Sequence, residues 1–404
     1  MMNILFLTLV KIDTLNQRGL YHDLMREFSS HGYHLYIVSP SERRENQKTS
    51  IKTEGNTKFL NVRTLNIQKT NFIEKGISTL SIEKLFLRAV KKYFSDVKFD
   101  LIIYSTPPIT FTNLIKFIKN RDNAKTYLLL KDIFPQNAVD MKLISKKGVL
   151  YKYFRNKEKE LYNISDKIGC MSKANVDFVL QHNSFIPKNK IEINANSIEV
   201  QDFKELSDLE RNSIKAKYNI PLDKKIYIYG GNLGKPQGID FLIETLDAKK
   251  NDGKIFFIIA GSGTEYGKIK NWTDTVQPKN VLLISVLPKN DYDLLVQTCD
   301  VGLIFLHKDF TIPNYPSRLL SYLEYKMPVI AATDKNTDIG LDIVNNNCGA
   351  SVYSGDINEM IETLDLFSKM DSQKFDQMRQ NGWNFLEKEF QTKKSYEKII
   401  NSLN

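Results

Sequence analysis

Cysteine is scarce in this sequence. Its three cysteines, Cys170, Cys299 and Cys348, stand far apart, with no CxxC pair and no His-rich spacing around them. That excludes a disulfide framework, indicates no zinc site and makes a reducing cytoplasm the natural compartment. Apolar runs are short, none approaching the ~18 residues of a membrane span. The opening Met1–Leu9 lacks a positively charged leader and a small-residue cleavage site, so it reads as a buried strand rather than a signal peptide. Histidine is sparse too, at five residues. His31 and His34 flank a turn without further ligands, which favours a structural role, and no Ser/His/Asp or Cys/His arrangement builds a hydrolase triad. There is neither a Walker A loop nor a GxGxxG fingerprint, which removes the ATP and nicotinamide readings.

What is present is an ordinary globular composition, 42% hydrophobic and 26% charged, in 404 residues. That length is too great for one core and suits two domains of roughly 200 residues. Charge is divided unevenly. Residues 1–200 hold 32 Lys+Arg against 19 Asp+Glu, whereas residues 201–404 hold 25 against 28. A basic first half suggests contact with an anionic surface or substrate, nucleic acid and an anionic membrane face being the two candidates. Lys142, Lys146, Lys147, Lys152, Arg155, Lys157 and Lys159 are interleaved with Tyr151, Tyr153 and Phe154 and opposed by Glu158 alone. Each such cation is worth about 1 kcal/mol near an anionic bilayer. No helix-turn-helix, RNP or zinc-finger signature supports nucleic acid; a solvated helix face is the plain alternative.

Strand-like runs alternate with amphipathic helical patterns twice. The first series is Asn3–Leu9, His34–Ser39, Phe99–Ser105, Thr126–Leu130, Lys167–Met171 and Lys190–Asn194. The second is Lys225–Tyr229, Ile255–Ala260, Val281–Val286, Val301–Leu306, Val329–Ala332 and Ala350–Tyr353. Continuous Val/Ile/Leu-rich strands separated by helices predict parallel sheets covered on both faces. The expected fold class is α/β, with two doubly wound Rossmann-like domains, 1–203 and 204–387, facing across a cleft. The polar stretch Ser197–Arg211 marks the boundary. The tail from about Gln373 is helical in pattern up to Asn404, and the sequence leaves open whether its last part, about 388–404, packs back on the first domain.

Ligands of such sheets sit beyond the carboxyl ends of the strands, so polar residues directly after strands are the candidates. The loop Tyr229–Asp240 follows a strand and carries Gly230, Gly231, Gly234 and Gly238, with Lys235 adding a mobile cation. It is either an anion-binding loop or a tight glycine turn. The run Asn314–Glu324 places Pro316 and Ser317 at a helix start, with Ser317 as the expected cap. Arg318 then falls in the first turn, the wrong sign for the helix dipole unless an anion lies opposite. Asp132 follows an apolar strand and reads either as a site residue or as a cap before Pro135. Asn16, Gln17, Arg18 and Gly19 form the other polar lip of the first half. Asp291-Tyr292-Asp293 has the DxD pattern of metal-dependent sugar transferases but starts a helix running to Thr298, where acidic residues favour the dipole anyway; no metal site is assigned.

Taken together, Gly231-Asn232-Leu233-Gly234…Gln237-Gly238, Ile259-Ala260-Gly261-Ser262-Gly263, Cys299-Asp300-Val301-Gly302-Leu303 and Pro316–Leu323 with Pro328–Ala331 resemble bacterial glycosyltransferase family 4, which has the two-domain GT-B fold. The resemblance runs over nearly the whole length. Asp132-Ile133-Phe134-Pro135 and Asn16…Asp23-Leu24…Glu27-Phe28 look like a subgroup that builds capsule or O-antigen repeat units. The resemblance implies a retaining transfer of a deoxy- or N-acetylamino sugar from a UDP-sugar to a polyprenyl-diphosphate-linked saccharide, without cofactor or metal. It places the protein in the cytoplasm, peripheral at the inner face of the plasma membrane.

By the same resemblance, Arg318, Lys235 and the backbone of Gly231 and Asn232 hold the diphosphate, and Gln237, Gly261 and Ser262 complete that loop. Leu287 faces the base. Ser317, Leu319 and Ser321 line the sugar and ribose, and Asn314, Tyr315 and Pro316 also bind the donor. Among the catalytic residues expected, with Arg318 and Lys235, Asp132 orients the acceptor or stabilises the cationic sugar, and Asn16, Gln17, Arg18 and Gly19 bind the acceptor. The sequence departs from the family where two glutamates eight residues apart become Pro313 and Ser321, with Glu324 three residues on. The donor-loop Arg and Lys become Asn232 and Gln237, and a frequent Pro-Asn-Gly becomes Ala195-Asn196-Ser197. The alternatives are a UDP-sugar 2-epimerase of the same fold, against which the few histidines argue, and a non-catalytic scaffold that has lost the glutamates.

Overall fold

The β-rich runs and amphipathic stretches condense into two Rossmann-like units in the computed structural model, which describes residues 2–67, 72–201, 203 and 205–403, with backbone alone for 72–77. One unit is Met1–Glu199 with Gln391–Asn404; the other is Val200–Phe390. Lys204, the expected first residue of the second domain, lies outside the described residues.

The first unit runs β1 (Asn3–Leu7), α1 (Leu20–Ser30), β2 (His34–Glu42), β3 (Ser50–Glu54), β4 (Thr57–Thr64), α2 (Phe72–Tyr93), β5 (Leu101–Ser105), α3 (Thr112–Asp122), β6 (Lys125–Leu130), α4 (Gln136–Asp140), α5 (Val149–Ile164), β7 (Lys167–Cys170), α6 (Lys173–His182) and β8 (Ile191–Ile193). Its described strands form one sheet in the order β3-β4-β2-β1-β5-β6-β7-β8. All pairs are parallel except β3 with β4, a hairpin turned at Gly55. The expectation of a wholly parallel sheet is corrected at that edge. The hairpin escaped notice because β3 reads Ser-Ile-Lys-Thr-Glu, too polar to resemble a buried strand, and its residues are indeed mostly exposed.

The second unit runs α7 (Asp208–Lys217), β9 (Lys225–Gly230), α8 (Ile239–Ala248), β10 (Ile255–Ala260), α9 (Tyr266–Val276), β11 (Val281–Ile284), α10 (Lys289–Val296), β12 (Val301–Phe305), α11 (Arg318–Glu324), β13 (Val329–Thr333), α12 (Ile339–Asn345), β14 (Gly349–Tyr353), α13 (Ile357–Lys369) and α14 (Ser372–Glu389). The strand order β11-β10-β9-β12-β13-β14 is parallel throughout. Its core packs Tyr227, Tyr229, Leu303, Phe305 and Ile330 from the sheet against Phe241, Leu242, Met360 and Leu364 from helices. Helix α10 ends at Val296, two residues before the expected Thr298.

The helical tail forms two helices. After α14 the backbone leaves helical geometry at Phe390, Gln391 bridges to Ile198, and α15 (Thr392–Asn401) follows. Thr392 N–H donates to the Ile198 carbonyl at 3.0 Å. Helix α15 lies on α1 in the first unit: Tyr396 meets the Phe28 ring edge-on at 5.0 Å and Ile399 is fully buried in that core.

In both sheets the order of strands reverses beside a central strand. In the first, β2 and β5 flank β1; in the second, β10 and β12 flank β9. Ligands of doubly wound sheets sit at the carboxyl ends of the strands at such points.

Candidate functional site

In the second unit β9 and β12 pair only at Tyr227–Val301 and Ile228–Gly302, then part. Parting strands leave backbone groups in need of partners. Tyr322 of α11 supplies them: its buried hydroxyl accepts from Gly230 N–H at 3.0 Å and donates to the Ile228 carbonyl at 3.2 Å, with the Leu303 carbonyl at 3.3 Å. The Tyr322 ring occupies the space a Cβ would take at Gly302, which is why β12 carries glycine there. A Cβ on Gly230 would likewise strike the Tyr292 hydroxyl.

The loop after β9 interlocks with the loop after β10. Gly231 N–H donates to the Ala260 carbonyl at 2.9 Å, Leu233 N–H to Ser262 at 3.0 Å and Glu265 N–H to Leu233 at 2.9 Å. A Cβ at Gly261 would fall on the Gly231 carbonyl oxygen. Gly231 itself is at φ 115°, open to glycine alone without strain. Asn232 and Gly234 are tied by the Gln237 amide oxygen, which accepts from Asn232 Nδ2 at 3.0 Å and Gly234 N–H at 3.2 Å. The loop is thus a rigid, backbone-built shelf. Lys235 stands exposed in its short 3₁₀ turn.

Arg318, the first residue of α11, reaches this shelf. Its guanidinium lies over the Tyr229 ring at 4.2 Å, and its Nη2 would be 3.5 Å from a Cβ on Gly231. Buried Nη1 has no hydrogen-bond partner, and Arg318 makes no ion pair, among the described residues. The neighbours of this cation are the phenols of Tyr229, Tyr292 and Tyr322. A guanidinium presents five donors suited to phosphate oxygens; this one lies over the Tyr229 ring with no ion pair among the described residues.

Other expected residues are placed differently. Ser317 occupies the cap position in helical geometry, and its side chain makes no cap bond among the described residues. The expected cap is therefore corrected: helical φ/ψ turns the hydroxyl away from the N–H groups an extended cap residue would reach. Tyr315 is buried, donating to Asp342 Oδ2 at 2.9 Å, and Asn314 is engaged through its backbone with Thr337 Oγ1 at 3.0 Å. Leu319 is buried, while Pro316 and Ser321 are half-buried. Leu287 lies half-buried in the turn before α10. Glu324 is buried and accepts from Gln201 N–H at 3.3 Å, which commits it to the start of the unit. In the DxD segment, Asp291 pairs with Lys217 at 3.4 Å and Asp293 with Lys289 at 2.7 Å.

In the first unit Asp132 follows β6 directly. It accepts from Asn137 Nδ2 at 2.7 Å, and its own N–H donates to Thr106 Oγ1 at 3.0 Å. Burial pushes its carboxyl up to about 6, against the bonds from Asn137 and the Ile133 backbone. Its neighbour Lys131 was not singled out from sequence, though its place at the strand end was the available signal. Burial pulls the Lys131 ammonium down to about 7, the nearby Cys170 acting in the opposite direction; its Nζ donates to the Asn194 carbonyl at 3.1 Å. Lys131 lines a pocket with Leu20, Tyr21, Asn196, Ser197 and Ser395. Asn16 and Gln17 are exposed. Arg18 donates to the Glu199 carbonyl at 3.0 Å, and Gly19 N–H donates to buried Asp23 at 3.1 Å. Arg26 ties this lip together through Asp23 at 2.8 Å, Glu199 at 2.7 Å and the Gln17 carbonyl at 3.2 Å.

Residues 210–385, which contain the shelf and Arg318, match the family described as Glycosyl transferases group 1. The chain is a GT-B-fold relative of those enzymes. Probable glycosyltransferase WbjE of Pseudomonas aeruginosa is 21% identical to it over 305 residues, 75% of this chain and 74% of that one. The fold is shared with sucrose-phosphate synthase from Thermosynechococcus elongatus, at a TM-score of 0.75 and 12% identity over 99% of this chain and 98% of that one. It is shared too with HepE of Anabaena, solved in complex with UDP and glucose, at a TM-score of 0.69 and 13% identity over 100% and 99%.

Proposed function

We propose that this protein is a retaining hexosyltransferase that moves a deoxy- or N-acetylamino sugar from a UDP-sugar to a lipid-linked saccharide in bacterial surface-polysaccharide synthesis. The carrying observation is Arg318: a cation whose buried Nη1 has no hydrogen-bond partner and which makes no ion pair among the described residues, with a glycine shelf beside it. A nucleoside diphosphate supplies the missing charge. HepE, of the same fold, was solved with UDP, which favours uridine.

In this reading the second unit holds the donor. As the bond from sugar to diphosphate breaks, Arg318 and Lys235 meet the charge growing on the departing phosphate, the preorganised electrostatics that is often the largest catalytic term. The acceptor hydroxyl attacks from the face the diphosphate leaves, and a phosphate oxygen takes its proton. Asp132, ionised above pH 6, orients the acceptor or steadies the cationic sugar, with Asn16–Gly19 as the acceptor's outer contact. Glu324 is engaged elsewhere, so Ser321 is the remaining polar group of that helix for the ribose.

Thermal shift with UDP, GDP, ADP and CMP is the direct test. At a hundred times its dissociation constant UDP adds about 2.7 kcal/mol to stability, and the shift is lost in Arg318→Ala. Acceptor-dependent release of UDP separates transfer from epimerisation. Indifference to every nucleotide would overturn the reading in favour of a scaffold.

A further inference from the structure

The segment leading from Asp132 into α5 carries two features at once. From Met141 to Lys157 there is no acidic residue, and Lys142, Lys146, Lys147 and Lys152 are all exposed, without an ion-pair partner among the described residues. In the same stretch four large apolar side chains face solvent: Val149 at 83% exposure, Leu150 at 58%, Leu143 at 57% and Tyr153 at 40%. Within α5, Val149, Leu150 and Tyr153 fall on one face by the 3.6-residue period. The later turns of the same helix bury Glu158, Leu161 and Tyr162, whereas its first turns leave Val149, Leu150 and Tyr153 in solvent. Single exposed leucines need no explanation; four exposed apolar side chains and four exposed lysines within twelve residues mark an interaction surface.

We propose that this tip docks on an anionic lipid bilayer, Leu143, Val149, Leu150 and Tyr153 entering the headgroup layer while the four lysines meet lipid phosphates. Charge complementarity calls for an anionic partner. The aliphatic side chains select a lipid over a nucleic acid, since they neither stack on bases nor bond to their edges, whereas an interfacial helix buries such side chains among acyl chains. The patch is also built into the candidate acceptor region. The Phe134 ring, two residues after Asp132, meets Phe154 edge-on at 4.9 Å, and Leu143 N–H bonds to the Ala138 carbonyl of α4 at 2.9 Å. If the transfer proposed above holds, the bilayer supplies the acceptor within one loop of Asp132; the docking itself does not depend on that reading.

Co-sedimentation of the full chain with vesicles of phosphatidylglycerol or of phosphatidylcholine tests this without any donor. Binding to the anionic vesicles alone is expected, falling about fivefold for each of Lys142, Lys146, Lys147 and Lys152 changed to Ser. Val149→Asp with Leu150→Asp should lower partitioning tenfold or more. A Tyr153→Trp reporter should shift its emission to the blue on those vesicles. All these side chains are exposed, so an unchanged thermal midpoint and UDP shift verify that the variants fold. Failure to bind anionic vesicles, binding indifferent to the Val149/Leu150 pair, or displacement from vesicles by a duplex oligonucleotide each overturns the proposal. Loss of the UDP response with vesicle binding intact would remove the transferase reading and leave the docking surface standing.

Discussion

The two units put different chemistry at the same place in the same kind of sheet. At the carboxyl end of β9 the candidate surface is main chain: Gly230, Gly231 and Gly261 admit close approach, Tyr322 fills the fork, and Arg318, which makes no ion pair among the described residues, supplies charge. Near the carboxyl ends of β1 and β6 the surface is side chain: Lys131 and Asp132, whose burial moves each toward neutrality, behind a lip tied by Arg26 to Asp23 and Glu199. A main-chain shelf reads a feature common to many ligands, such as a diphosphate, and tolerates little change in its glycines. A side-chain surface can be retuned residue by residue. The formal charge follows the division, with 35 Lys+Arg against 20 Asp+Glu in the first unit and 22 against 27 in the second.

Four experiments sharpen or break that contrast. Arg318→Ala should lower turnover a hundredfold or more, about 3 kcal/mol of lost stabilisation; turnover like that of wild type would remove the cation from the site. Gly261→Ala forces a methyl onto a main-chain oxygen that cannot step aside, and should cost about 3 kcal/mol in urea unfolding. A neutral result would mean that the shelf is pliable.

The third uses opposite signs. Asp132 has a folded value above its ordinary 3.8, so its ionised form weakens the fold above pH 6 and that cost is gone below about 4. Asp132→Asn should therefore gain about 2 kcal/mol at pH 8, nothing at pH 4, and lose transfer. Lys131, below its ordinary 10.5, weakens the fold most below pH 7, so Lys131→Met should gain most there and nothing above about pH 10.5. Midpoints flat with pH in both variants would make these two side chains ordinary surface groups. Smallest is Tyr322→Phe, which leaves Gly230 N–H unpaired and should cost about 1 kcal/mol while sparing the sheet.

Much of this fold was legible beforehand because fully buried parallel strands announce themselves as apolar runs, and β1, β5, β6, β10 and β12 are such runs. β3 was not, since an exposed edge strand needs only alternation and a turn, and its five residues carry one apolar side chain. The shelf was readable from its glycine spacing. What spacing hides is which atoms a glycine makes room for: the Tyr322 ring beside Gly302 and the Tyr292 hydroxyl beside Gly230 lie twenty residues or more away along the chain. Arg318 could be suspected from its sign in a helix's first turn, whereas the partnerless Nη1 exists only in three dimensions. Lys131 went unread because a lysine beside an aspartate looks like a surface pair until burial is known.

The junction of Ile198 with Gln391 and Thr392 has a temporal consequence. One unit is contiguous in the chain and the other is interrupted by it, so during synthesis the inserted unit has all its residues before its host does. The host lacks α15, and with it the cover over Phe28, until its last residues leave the ribosome. Domains emerging in order generally fold in order; here the half begun first is the half finished last.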